Sequence, residues 1–472
     1  MRQYKRLVVN TFWFALGNVG SKSIAFLMLP IFTRYLLPSD YGKIELLNTT
    51  VSLLTPIITL QLVEAVFRYA VEVRKEKEKA SEVISSALLF MITFFMFLAI
   101  FSPLIGRFEI IREYGSYFYK IFLTSVVFGV LKQFTRGIDK VKIYVTSDIL
   151  YSLIFAVSSS IFLIVLKLGI KGYLISNVIS QISCIAFLVC AAKLYEYVKI
   201  TFNRTLLREM LSYSVPLIPN GIMWWIVTAA DRYVLTHYLG YEATGIYSVA
   251  ARFPSLITIL YSVFFQAWQL SAMEEFGKPD FDGFFRNVFA VLSTFLFFGS
   301  SLLVLLIKPF ISVYVGGMYA ESWRYTVFLI LGAVFHIFSS FYGVIYTSSK
   351  KTLGAFSTSI VAATVEIVTI FSLVKYLGIQ AASLSTFAAY VAMFAARVLH
   401  TRRIMKVNIE IKSVLGCSIV IFTQCMLVLS LKGVTMYLAQ LPLFCVLFLL
   451  QKNELVKILA YANSATKRLR RK

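Results

Sequence analysis

The sequence is poor in acid. Its 472 residues hold 23 Asp and Glu against 46 Lys and Arg, and charged residues of both signs make up 15%. Soluble domains carry about 25% charged residues, so the chain lacks the polar surface that a soluble enzyme or a disordered protein needs. Histidine is scarce too: His237, His336 and His400 are too scattered to form a metal set. The five cysteines, Cys184, Cys190, Cys417, Cys425 and Cys445, lie in apolar runs without a CxxC pair. That argues against a disulfide framework or a zinc site and reads them as small buried hydrophobes. Long polar stretches are also missing. The longest expected outer loop, 308–324, has 17 residues, too few to hold the catalytic groups of a membrane glycan polymerase or ligase, so no enzyme is expected.

Apolar sequence fills that space. Hydrophobic residues make up 59% of the chain, with 42 Phe and 27 Tyr and a mean hydropathy of +0.78. A spanning helix needs about 20 predominantly apolar residues. Segments of that length fall at 8–32, 44–67, 83–105, 119–138, 144–166 and 172–192, then at 215–236, 245–270, 288–307, 325–346, 353–374 and 378–399, and last at 413–431 and 434–450. These predict an all-α polytopic membrane protein of about fourteen spans. The opening Arg2 to Arg6 before an apolar run looks like a signal peptide, but no small-residue cleavage site follows, and a retained first helix is expected. With a cytoplasmic N-terminus, inner segments carry 31 Lys and Arg, counting Lys132 and Arg136 at the inner end of the fourth span, and outer loops carry 10. The alternation predicts an even number of spans with both termini in the cytoplasm. It also spreads the basic charge among short loops, unlike the concentrated basic surface that nucleic acid requires.

The chain divides into an N-lobe of spans one to six (1–192), a linker (193–214), a C-lobe of spans seven to twelve (215–412), and a final segment (413–472) with two more spans and a basic tail. In the linker, Leu206, Leu207, Met210 and Leu211 share a helical face, which predicts a short helix lying on the inner membrane surface. An internal repeat supports the two lobes. Thr33-Arg34-Tyr35-Leu36 corresponds to Thr236-His237-Tyr238-Leu239 at an offset of 203, and at that offset Gly42 matches Gly245. Leu168-Gly169-Ile170 corresponds to Leu377-Gly378-Ile379 at an offset of 209. A duplicated six-helix unit keeps one orientation, so the copies should be related by a pseudo-two-fold axis along the membrane normal.

Polar residues inside the spans gather on faces. Span one has Thr11, Asn18 and Lys22, and span two has Glu45, Asn48, Ser52, Thr55 and Thr59 at spacings of three and four. Its counterpart, span eight, has Ser248, Arg252, Ser255, Thr258 and Ser262, and span seven opens with Asn220. Pro56 and Pro254 sit within spans two and eight, where a proline frees a carbonyl and bends the helix. Small hydroxyl residues also serve close helix packing. Charges are costlier, about 2.5–3.5 kcal/mol each near the bilayer centre. Lys22 and Arg252 lie well inside their spans, whereas Lys120, Lys132, Arg136 and Arg397 are near enough to span ends to snorkel. The intramembrane acids Glu45, Glu64, Asp148, Asp231 and Glu366 are each either a structural hydrogen-bond partner or a ligand for a coupling Na⁺ or H⁺. Asp231 and Arg232 are adjacent, point about 100° apart on an ideal helix, and need not pair.

Phe14-Ala15-Leu16-Gly17-Asn18, then Leu29-Pro30-Ile31-Phe32-Thr33-Arg34-Tyr35-Leu36 and Tyr41-Gly42, resembles the opening of Wzx-type polysaccharide repeat-unit flippases. Asp231-Arg232-Tyr233 with Tyr238-Leu239-Gly240 and Gly245-Ile246-Tyr247-Ser248 resembles them again. The resemblance covers roughly the first twelve spans and places the chain in a superfamily that also holds multidrug-and-toxin (MATE) exporters and lipid II flippases. It implies a two-lobed bundle working by alternating access. The implied cargo is an oligosaccharide repeat unit on undecaprenyl pyrophosphate, moved to the outer leaflet for O-antigen, capsule or exopolysaccharide synthesis. A polysaccharide polymerase and glycosyltransferases are the implied partners, and no cofactor is implied. In this reading Lys22 and Arg252 attract the pyrophosphate, while Asn18, Asn48, Ser52, Thr55, Ser255 and Asn220 meet the sugars. A drug/ion antiporter or a lipid II flippase of the same fold is the alternative.

Overall fold

The structure is a computed structural model that describes residues 2–100, 109–199, 201–349, 351–405, 409–452 and 454–456. The side chain of Thr11 and residues 101–105 of the third expected span lie outside the described residues. Among the described residues the chain is helical and no strand forms. It folds as two compact units, Met1–Ser248 and Val249–Lys472.

The first unit contains α1 (Arg2–Leu27), α2 (Leu29–Tyr35), α3 (Pro38–Ile58), α4 (Leu62–Glu72), α5 (Lys77–Ile100), α6 (Glu109–Gly137), α7 (Val141–Ser160) and α8 (Gly169–Ala191). The linker helix α9 (Arg204–Ser214) and α10 (Ile218–Ala229) follow, with most of α11 (Asp231–Ala250). In the second unit come α12 (Ser255–Glu275), α13 (Phe281–Tyr314), α14 (Trp323–Ser348), α15 (Thr352–Leu377), α16 (Gln380–Thr401), α17 (Ile411–Ser430) and α18 (Gly433–Leu450). Eleven helices among the described residues are long and apolar enough to cross a membrane, and α3 with α4 makes a twelfth if that bent pair is one span. The stretch Lys77–Ile100 and the pair α10 and α11 account for the difference from the expected fourteen. α5 is apolar and uncharged over 83–100, but some of its side chains lie outside the described residues, and the α10–α11 stretch is interrupted at Ala230 and Gly240.

The prolines mark real breaks. Pro56 lies in the last turn of α3, and the chain turns by 57° through Leu60 and Gln61, both at positive φ, before α4. Pro254 is not inside a helix. It precedes the first residue of α12, after a turn at 251–254, so the polar face expected to run along span eight is interrupted at Arg252. The second repeat match has a local cause: Gly169 and Gly378 take φ of +54° and +56° where a helix is entered and left, a conformation glycine adopts without a Cβ penalty.

The linker departs from expectation. Asn203 caps α9 by accepting from the Leu206 N–H at 3.0 Å, the placement favoured for asparagine. Its apolar face is covered by protein instead of lipid: Leu207 and Met210 are buried in a cluster with Leu62, Val66, Val83 and Phe134. The chain before α9 is tied to a serine row on α5. Lys199 N–H donates to Ser85 Oγ at 2.9 Å and Asn203 N–H to Ser86 Oγ at 3.0 Å. Asn203 Nδ2 also reaches Glu82 at 2.8 Å. Lys77 donates to Glu196 and holds its carboxyl below the usual carboxylate range.

In the second unit α14 is the central helix, with 83% of its most apolar stretch buried. Its sequence is apolar on every face, as a fully surrounded helix requires. Trp268 stacks on Phe341 at 4.1 Å between ring centroids, and Phe285, Phe289 and Phe394 complete the cluster.

Back in the first unit, the matched glycines of the repeat meet each other. A Cβ on Gly42 would lie 1.9 Å from Tyr241 O, and one on Gly245 would lie 1.9 Å from Pro38 O. Pro38 and Tyr241 are themselves 203 residues apart, so the contact is reciprocal. Overpacking a tight contact costs about 1–3 kcal/mol, and here the obstacle is backbone. Gly42→Leu and Gly245→Leu should each lower the melting temperature and the yield of detergent-extracted protein. Gly283→Ala, where an added Cβ meets nothing within 4 Å, should leave both unchanged. An unaltered melt for Gly42→Leu would show that α3 and α11 do not cross at this point.

Candidate functional site

The first half of α3 carries a polar cluster shared with α10 and α11. α11 starts at Asp231 after the break at Ala230, and this placement decides the geometry. At the first helical position the Asp231 carboxylate turns back and accepts the Arg232 N–H at 2.8 Å, the favourable place for an acid on a helix. The Arg232 guanidinium then reaches the same oxygen at 2.9 Å and the Thr228 carbonyl at 2.8 Å. The adjacent pair therefore does bridge, against the expectation from an ideal helix. Tyr247 donates to the other Asp231 oxygen, and its ring lies 5.8 Å from the guanidinium. Glu45 of α3 faces Arg232 at 3.9 Å, an ion pair without a hydrogen bond. Asp231 and Glu45 are both buried. Thr50 and Tyr233 share a hydrogen bond of 2.6 Å, and Trp225 Nε1 donates to Thr49 O at 3.0 Å.

The other expected residues are distributed as follows. Lys22 and Asn18 are exposed on α1, Asn220 is exposed on α10, and Glu64 is exposed on α4. Arg252 is exposed in the turn before α12, and Ser255 is the first residue of that helix. Ser52, Thr55 and Thr59 donate to carbonyls of their own helix at 2.7–2.8 Å, and Thr258 and Ser262 do so at 3.0 and 2.7 Å. These hydroxyls have internal partners. Asp148 pairs with Lys132 at 2.5 Å, so Lys132 is not simply a snorkelling residue. In the second unit Glu366 is buried and accepts from Ser385 at 2.8 Å. Arg397 is a second correction: it is 5% exposed and donates to Ser339 O at 2.5 Å and Thr358 Oγ1 at 3.3 Å. Packing of α16 against α14 and α15 turns it inward.

One feature escaped the sequence reading. Between α1, α3, α6, α7 and α8 lies a cavity of about 330 Å³ whose polar lining includes Asn48, Ser125, Tyr151, Ser152, Asn177 and Gln181. Of these only Asn48 was expected. Asn177 and Gln181 are four apart on α8, a shared face, and that spacing was the available signal.

The chain matches the family model described as Polysaccharide biosynthesis protein over residues 7–269. No curated protein matches it. Solved structures do. An inward-facing MATE-family multidrug resistance transporter of the MOP superfamily aligns at TM-score 0.68 and 15% identity, covering 82% of this chain and 95% of the other. The lipid II flippase MurJ, in an inward closed conformation, aligns at 0.68 and 15%, covering 96% of this chain and 100% of the other. A Vibrio cholerae MATE transporter aligns at 0.58 and 11%, covering 86% and 97%. These likenesses establish the fold, and the family model covers more than half of the sequence. The chain belongs to the polysaccharide biosynthesis protein family, with the membrane fold shared by MATE transporters and MurJ.

Proposed function

We propose that the chain is a flippase for an undecaprenyl-pyrophosphate-linked oligosaccharide repeat unit. It moves the unit from the inner to the outer leaflet of the cytoplasmic membrane by alternating access, with both termini cytoplasmic. The observation that carries this reading is membership of a polysaccharide biosynthesis family in a chain built almost wholly of membrane helices. The likeness to a lipid II flippase supports a lipid-linked cargo. O-antigen, capsule and exopolysaccharide are the destination classes, and a polymerase and glycosyltransferases are the partners.

In this reading Lys22 and Arg252, both exposed, attract the pyrophosphate. Asn18, Asn48 and Asn220 offer amides to the sugars. Ser52, Thr55 and Ser255 already donate to backbone carbonyls, so they serve as acceptors only. Outward movement of an anion is favoured by about 2.3 kcal/mol per charge per 100 mV of inside-negative potential, which supplies a driving force without a cofactor. Where a coupling Na⁺ or H⁺ resets the carrier, Glu366, buried and held by Ser385, and Glu64 are the candidates. Glu45, Asp148 and Asp231 each face a cation and have structural roles.

Deleting the protein in a strain with no second flippase should abolish one surface glycan while its lipid-linked repeat units persist on the inner leaflet. A wild-type glycan level would refute the reading, and drug sensitivity or a lipid II defect without glycan loss would favour the alternatives. Lys22→Ala with Arg252→Ala should lose most export at normal abundance, whereas Lys22→Arg with Arg252→Lys should keep part of it. Full export by the double alanine variant would remove both residues from the substrate path. Arg232 should behave differently. Arg232→Gln removes the cation facing two buried carboxylates, at a cost of about 3–5 kcal/mol, so abundance and melting temperature should fall. Adding Asp231→Asn and Glu45→Gln should restore part of both. Normal stability of Arg232→Gln would show that this cluster is not structural.

A further inference from the structure

The cavity enclosed by α1, α3, α6, α7 and α8 has no charged side chain in its wall. Four of its polar groups, Ser125, Tyr151, Asn177 and Gln181, form one connected network. Gln181 Nε2 donates to Ser125 Oγ at 2.9 Å and to Asn177 Oδ1 at 2.8 Å. Thr124 donates to Gln181 Oε1. Tyr151 donates its hydroxyl to Asn177 Oδ1 at 3.3 Å. The Asn177 oxygen is therefore occupied twice, which fixes the orientation of the amide. The Asn177 Nδ2 group has no hydrogen-bond partner among the described residues, although the side chain is only 7% exposed. Across the cavity, the Asn48 amide also has none. Asn177 is buried and Asn48 half-buried. Buried polar groups are almost always satisfied, so the open Asn177 amide, with the Asn48 amide facing the same space, marks a place for a hydroxyl-bearing ligand or water.

Aromatic faces supply the other half of the wall. Tyr151 stacks on Phe155 at 6.1 Å, and Phe155 meets Tyr173 edge-on at 5.0 Å. Rings and fixed amides together recognise a molecule that has one apolar face and an equatorial belt of hydroxyls. The volume of about 330 Å³ is roughly twenty to thirty times the ~10–15 Å³ that holds one water. A pyrophosphate would find no cation here. An apolar drug would leave both amides without a partner.

We propose that this cavity is a subsite for one neutral sugar ring of the cargo, with Asn48 and Asn177 as hydrogen-bond donors and Tyr151, Phe155 and Tyr173 as the stacking wall. The proposal rests on the flippase reading above. It separates the recognition of sugar from that of pyrophosphate, which is assigned to Lys22 and Arg252.

The test uses the full chain in lipid nanodiscs free of sugar detergents. Saturation-transfer NMR is run with methyl α-D-glucopyranoside, N-acetyl-D-glucosamine and L-rhamnose as probes and inorganic pyrophosphate as competitor. At least one sugar should receive saturation at its ring protons, pyrophosphate should not displace it, and Asn177→Leu with Asn48→Ala should remove the signal. Asn48→Ala deletes no hydrogen bond within the protein, so it keeps the test valid if Asn177→Leu fails to fold. In cells Asn48→Ala should cut glycan export about tenfold at normal abundance, the scale of one lost hydrogen bond. Absence of signal from all three sugars, or an undiminished signal in the variants, overturns the subsite. If deletion of the protein abolishes the glycan yet Asn48→Ala exports fully, the subsite fails while the flippase reading stands. If deletion leaves the glycan intact, the flippase reading fails first.

Discussion

A bilayer offers no hydrogen-bond partners to a polypeptide, so each backbone and side-chain polar group must be satisfied inside the protein. Most features of this chain follow from that demand. It explains why the described residues are helical throughout, and why Ser52, Thr55, Thr258 and Ser262 turn their hydroxyls onto their own helix carbonyls. It explains why Asp148, Asp231 and Glu45 each face a cation. The exceptions are then informative. The helices break at Leu60 and Gln61 and before Pro254, and irregular backbone at membrane depth is tolerated only against protein or a wet cavity.

Composition and periodicity made the architecture legible, because a run of about 20 apolar residues leaves few alternatives. The repeat was legible for a stricter reason. Gly42 and Gly245 have no room for a Cβ, and Gly169 and Gly378 need positive φ. The first pair leaves no room for any other residue, and the second takes a conformation that other residues adopt only at a cost. What the sequence could not show was three-dimensional placement. An ideal helix keeps Asp231 and Arg232 apart, but the break at Ala230 puts Asp231 at a helix start, where its side chain folds back. Arg397 lies near a helix end and looked able to reach the surface. Instead it is drawn to Ser339 and Thr358. The linker helix has an apolar face that lipid or protein could cover equally well, and only tertiary packing chooses protein.

The candidate site was half legible. Charged residues advertise themselves in an apolar sequence, so Lys22, Arg252 and the acids stand out as candidates without the structure. The neutral cavity was missed because amides and tyrosines cost little in a membrane helix and resemble packing groups. Its meaning comes from the network, in which Gln181 and Tyr151 together use up one face of Asn177 and leave the other open.

The reciprocal contact of the two glycines has one further consequence. Residue 42 meets residue 241 and residue 245 meets residue 38, the pattern of an isologous interface between two identical subunits. Here a single chain makes it. In a homodimer every substitution at such a patch appears twice, so both sides must change together. Joining the copies removes that obligation, and one side has Glu45 where the other has Ser248. The symmetric contact between the glycines survives as the fixed point around which the two halves of the patch became chemically different.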